Sequence, residues 1–154
     1  MIMSPSELRL TIVRPVLQQL DVWSQIAENL MVGTALQESL LTHTQQVGGG
    51  PALGLWQMEP ATHDDCWQNF LKFRPELGKK VLHFTQHPVA AEMRVNHVYA
   101  CAMARIRYYR VSAPLPTDVN DLMALAKYWK QHFNTPLGAG KPEEFYTKYV
   151  KYIG

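Results

Sequence analysis

The chain of 154 residues contains no window of about 18 consecutive apolar residues, so no membrane-spanning helix is expected. Its first ten residues, Met1 to Leu10, lack a basic start followed by an apolar run and do not read as a signal peptide. Cysteine is scarce. Cys66 and Cys101 are the only two, and in a chain without an export signal they are expected free and buried, with a bridge between two helices as the alternative. Charged residues make up 18%, below the usual quarter, which argues against disorder. Strand signals are nearly missing, with at most a small hairpin near residues 43–56, and there is no repeat or low-complexity tract. The six histidines complete no zinc signature: neither His63-Asp64-Asp65 nor His83 with His87 supplies a full ligand set, so neither metal nor cofactor is expected.

What remains is a hydrophobic fraction of 47%, enough for one mainly α domain over residues 1–154 with a substantial core. The formal net charge of +2 conceals an asymmetry. Residues 1–70 carry two basic against seven acidic side chains, a balance of −5, and residues 71–154 carry thirteen against six, a balance of +7. Solvated helix faces explain this blandly; a cleft with one acidic and one basic wall, suited to an anionic polymer, explains it as well.

Helical spacing recurs along the chain. Ser4, Pro5 and Glu7 have the order of a capping box, and Pro15 is expected to break the run that follows. Leu17, Leu20, Trp23, Ile26, Leu30 and Met31 then form one continuous face that delivers Glu38 at its end. Gly33 interrupts that face, and close approach by another helix would explain it. Residues 42–53 are polar and glycine-rich and read as a flap or short hairpin bordering a cleft, or as an idle surface loop. A helix restarts at Pro60 and ends at Arg74-Pro75, a short one covers about 76–84, and the longest regular run extends from Pro88 to about Arg110 as the central buried helix. Thr117 or Asp118 caps a helix carrying Val119, Leu122, Ala126, Trp129 and Phe133, stopped by Asn134-Thr135-Pro136, and Pro142 opens the last helix. The cluster Arg105, Arg107, Tyr108, Tyr109 and Arg110 is read as the end of a helix rather than a nucleic-acid surface.

The chemistry concentrates between Gly33 and Thr62. Glu38 lies between Leu36 and the pair Leu40/Leu41, where an ionised carboxylate is costly, so its pKa is expected to rise and let it act as a general acid near neutral pH. Around it stand Glu38-Ser39, then Gly54-Leu55-Trp56-Gln57, then Pro60-Ala61-Thr62, with Asn96 and Phe133-Asn134-Thr135 downstream. In order and spacing this pattern, over residues 24–150, resembles the catalytic region of the lysozyme-like superfamily, and most closely the lytic transglycosylases of bacteria and phages.

The resemblance implies a lysozyme-like fold and cleavage of the MurNAc-GlcNAc β-1,4 bond of peptidoglycan. Glu38 would give a proton to the bridging oxygen and later take one from the sugar's C6 hydroxyl, leaving a 1,6-anhydromuramic end. It further implies substrate-binding roles for Ser39, Gln57 and Asn134, and a tyrosine near the glutamate, Tyr146 or Tyr149. Trp56 offers a flat face for a sugar ring or a buried anchor, and the sequence leaves both open. No second acid lies between Glu38 and Glu59, which fits a one-carboxylate mechanism; Glu59 itself is either a helix-start residue or a second carboxylate, the latter making the chain a hydrolytic lysozyme. A further alternative is a non-catalytic virion component of the same fold. The expected partner is the glycan strand, with phage virion components besides, and a virion or a holin-type pore would bring the protein from host cytoplasm to the periplasmic cell wall.

Overall fold

The computed structural model describes residues 1–135 and 137–154; Pro136, part of the stop read after Asn134, lies outside them. The chain is mainly helical, with α1 Pro5–Glu7, α2 Arg14–Gln19, α3 Gln25–Ser39, α4 Pro60–Asn69, α5 Pro75–Leu82, α6 Glu92–Val95, α7 His97–Tyr109, α8 Leu122–Trp129 and α9 Pro142–Tyr152. Among the described residues the only β pairing is two isolated bridges, Gln45 with Leu53 and Leu53 with Met58, so the glycine-rich segment is a loop pinned at its base rather than a hairpin. Among the described residues no helix is long and apolar enough to cross a membrane.

The centre of the domain is α7, whose residues from Tyr99 to Ile106, and Tyr108, are buried. Around it pack α2, α3, α4 and α5, while α3 also lies against α8 and α9. Both cysteines are buried and free. Gly33 marks the closest helix approach: a Cβ there would drive into the Phe145 ring of α9, so glycine lets α3 and α9 meet.

Several helix boundaries differ from those read in the sequence, and each has a local cause. Pro15 does not break its helix. A π turn over Leu8–Val13, closed by an Arg14 N–H bond to the Arg9 carbonyl, widens the ladder just before the proline and accommodates its missing donor. The face from Leu17 to Glu38 is not continuous either: Asp21 takes φ 58°, and Ser24 then caps α3 by accepting the Ala27 N–H at 3.1 Å. Trp23, assigned to the apolar face, is 42% exposed in the turn between.

The helix from Pro60 ends at Asn69, and Arg74-Pro75 opens α5 instead of closing α4, because proline is favoured at a first turn. Asn96 interrupts the run from Pro88. Its Oδ1 accepts the Tyr99 N–H at 3.0 Å and its Nδ2 donates to the Phe84 carbonyl at 2.8 Å, so it caps α7. This leaves α3, not α7, as the longer helix. Asp121, three residues later than the expected cap, accepts the Ala124 N–H at 3.0 Å and starts α8, leaving Val119 exposed.

Candidate active site

Glu38 occupies the last turn of α3, partly buried at the bottom of a cleft of about 850 Å³. The walls come from the 43–59 loop, the first turn of α4, the exposed side of α7 and the segment that follows α8. Glu38, His43, Gln57, Glu59, Thr62, Arg107, Phe133 and Asn134 are among the residues that line it.

Burial pushes the Glu38 carboxyl from its ordinary value of 4.5 up to about 7. A hydrogen bond from Trp129 Nε1 to Oε2, at 3.0 Å, and the positive charges of Arg107 and Lys148 pull the other way without cancelling that effect. The acid therefore holds its proton through slightly acidic pH and can release it near neutrality.

Arg107 is oriented inside the cleft. Its guanidinium lies 4.2 Å over the Phe133 ring and donates to the Phe133 carbonyl. Asn134 borders the cleft, and its Oδ1 accepts from Lys130 Nζ at 2.8 Å. Gln57 reaches the cleft from a left-handed backbone, φ 48°, with its Nε2 donating to the Gly54 carbonyl at 2.9 Å. Gly54 takes φ 80°, and a Cβ there would lie 2.5 Å from the Met93 carbonyl, so the turn before Gln57 requires glycine.

Left-handed backbone clusters here. Leu40 and Leu41 at the end of α3, Gln57 and Thr135 all have positive φ, and outside this region Asp21 is the one further non-glycine example among the described residues. Such conformations cost on the order of 1–3 kcal/mol each and tend to collect at functional sites.

The structure brings Glu38, Gln57 and Asn134 to one cleft and excludes four other residues assigned to it. Ser39 is fully buried, its Oγ donating to the Ala35 carbonyl at 3.0 Å and accepting the Leu41 N–H at 3.2 Å, so it finishes the helix and does not face the cleft. Trp56 is buried, and its Nε1 donates to the Met31 carbonyl at 2.9 Å, which makes it a core anchor. Tyr146 is exposed on α9 and is not part of the lining. Tyr149 stacks on Phe145 and accepts from Arg9 at 3.2 Å, beside the opposite end of α3. The tyrosine below the acid is Tyr108 of α7, buried and bonded to Thr34 Oγ1 at 2.8 Å.

Sequence reasoning missed Trp129 and Arg107. Trp129 read as one apolar position in a stripe and Arg107 as part of a helix end. Their roles follow from which helices meet, and no local spacing encodes that.

Comparison with models of protein families, with curated proteins and with solved structures finds no match.

Proposed function

We propose that the chain is a peptidoglycan-cleaving glycosidase of lysozyme-like fold, working by lytic transglycosylation with Glu38 as its catalytic acid and base. One observation carries this reading: a carboxyl with its pKa raised to about 7 at the floor of a cleft of about 850 Å³. That volume is within the range of ligand sites, and a desolvated acid at its base is what protonation of a glycosidic oxygen needs.

Glu38 gives its proton to the bridging oxygen as the bond from the anomeric carbon breaks and the electron pair leaves with that oxygen. The carboxylate then takes the proton of the sugar's C6 hydroxyl as its oxygen bonds the anomeric carbon, which restores the acid and closes the anhydro ring. Asn134 would hydrogen-bond an N-acetyl group, and Gln57 borders the same space. Arg107 supplies a cation for an anionic strand. The protein would meet its substrate from a phage virion or after release from the host cytoplasm.

Glu59 on the same cleft supports a second reading, hydrolysis, in which it activates water opposite Glu38. Mass spectrometry of purified peptidoglycan after digestion separates the two. Anhydro ends support transglycosylation and reducing ends support hydrolysis with Glu59. A Glu38→Gln protein that still clears peptidoglycan in a zymogram would remove both, and a wild-type protein that pellets with the wall without clearing it would leave a binding role.

A further inference from the structure

Trp129 ends α8 fully buried, with one polar atom, Nε1, aimed at Glu38 Oε2 from 3.0 Å. Its indole is fixed on two sides. Phe145 of α9 stacks on it at 5.7 Å between centroids and 29° between planes. On another side Gly140 leaves room for the ring, since a Cβ there would lie 2.6 Å from Trp129 Cη2. Phe145 is itself set against Gly33 of α3, the helix that carries Glu38. The acid and the group that bonds it are thus registered to each other through α9.

Resting on the reading of Glu38 as the acid, we infer that Trp129 is its positioning residue: the indole N–H pins Oε2, so that Oε1 carries the proton to the substrate and receives the proton returned. The donor cannot accept, so a proton on Oε2 would lose this bond while one on Oε1 keeps it. The same N–H stays in place when the carboxyl becomes a carboxylate between the two half-reactions and supports the charged state then. The other charged and titratable groups around Glu38 are Arg107 and Tyr108 from α7, Lys148 from α9, and His43 and Glu59 from the cleft wall. None of them is hydrogen-bonded to the carboxyl among the described residues.

The test is Trp129→Phe, which keeps an aromatic ring and deletes the donor. In protein labelled with 13C at glutamate carboxyls, with Glu38 assigned by its loss in Glu38→Gln, the Glu38 titration is expected to move up by about one pH unit. The alkaline limb of the pH profile should follow it, and kcat is expected to fall about tenfold or more while KM stays within about twofold. A folded Trp129→Phe protein with unchanged Glu38 titration and unchanged kcat overturns the inference. If that variant does not fold, Gly140→Ala, which retains the indole and displaces it, carries the same expectation of an upward titration shift and the same refutation. A wild-type protein that leaves peptidoglycan intact overturns the functional reading alone, because the carboxyl titration is read without activity.

Discussion

Glu38→Gln is expected to cost the protein its activity and make it more stable, but only above a certain pH. The amide keeps the shape of the side chain and an oxygen for the Trp129 N–H, and it removes the need to hold a charge in a partly buried site. Burial raises the Glu38 pKa from 4.5 to about 7. The native state therefore holds a proton that the unfolded chain has already lost across that window, and stability falls as pH rises through it. Below 4.5 the wild-type acid is neutral in both states and the cost vanishes. Above 7 the cost is complete and amounts to up to about 3 kcal/mol. Thermal unfolding followed by circular dichroism at pH 4 and pH 8 reads the difference directly, since every other titrating group contributes equally to both proteins. The two should melt together at pH 4, and at pH 8 the variant should melt roughly 6–12 °C higher. Equal melting at both values, or a less stable variant at pH 8, would refute the premise that this carboxyl is held against its own ionisation.

Glu28 should behave in the opposite sense. Burial alone works against its charge, but bonds from Arg14, Trp23 and Arg9 hold it down to about 2, so it contributes stability that is present above 4.5 and lost as pH falls toward 2. Urea unfolding at pH 7 and pH 3 should show Glu28→Gln clearly destabilised at pH 7 and much closer to wild type at pH 3. Trp56→Ala should cost about 3–5 kcal/mol and leave the affinity for a soluble glycan fragment unchanged at a temperature where it is folded, measured by calorimetry. Tyr149→Phe should leave the cleavage rate within about twofold, because its hydroxyl bonds Arg9 and not the cleft. A rate drop of tenfold or more would return Tyr149 to the site.

Features that depend on immediate neighbours were legible in the sequence, and those that depend on distant packing were not. The raised carboxyl of Glu38 was expected from Leu36, Leu40 and Leu41, and the close helix approach at Gly33 followed from the cost of glycine within a helix. Trp56 and Gln57 show the limit of a motif. The Gly54 turn and the left-handed backbone of Gln57 send two adjacent side chains to opposite destinations, one to the Met31 carbonyl and one to the cleft. Apolar spacing continues across Asn96 and Asp121, so the runs read from it, from Pro88 and from Thr117 or Asp118, begin too early. Capping bonds to Tyr99 and Ala124 decide where the helices begin. Trp129 could not be found this way at all, since its N–H meets an oxygen 91 positions earlier in the chain.

One helix holds two glutamates in opposite electrostatic settings. Glu28 and Glu38 both belong to α3, ten residues and about 15 Å apart along its axis. Glu28 is in the first turn, where the helix dipole favours negative charge, and two arginines and an indole complete its shell, with Arg9 at 2.5 Å and Arg14 at 2.7 Å. Its lone pairs are satisfied and its charge is fixed, so it can neither give nor take a proton near neutral pH. Glu38 is in the last turn, where the dipole disfavours negative charge, and its one direct donor among the described residues is neutral. The same residue type, on the same scaffold, is thereby held at about 2 at one end and about 7 at the other. The fold uses one carboxylate to tie its helices together and leaves the other short of counter-charge beside an open cleft, the contrast that the proposed chemistry needs. Exchanging the surroundings, for instance by placing an arginine within bonding distance of Glu38, should drop its pKa and remove its capacity as a proton donor while leaving the cleft intact.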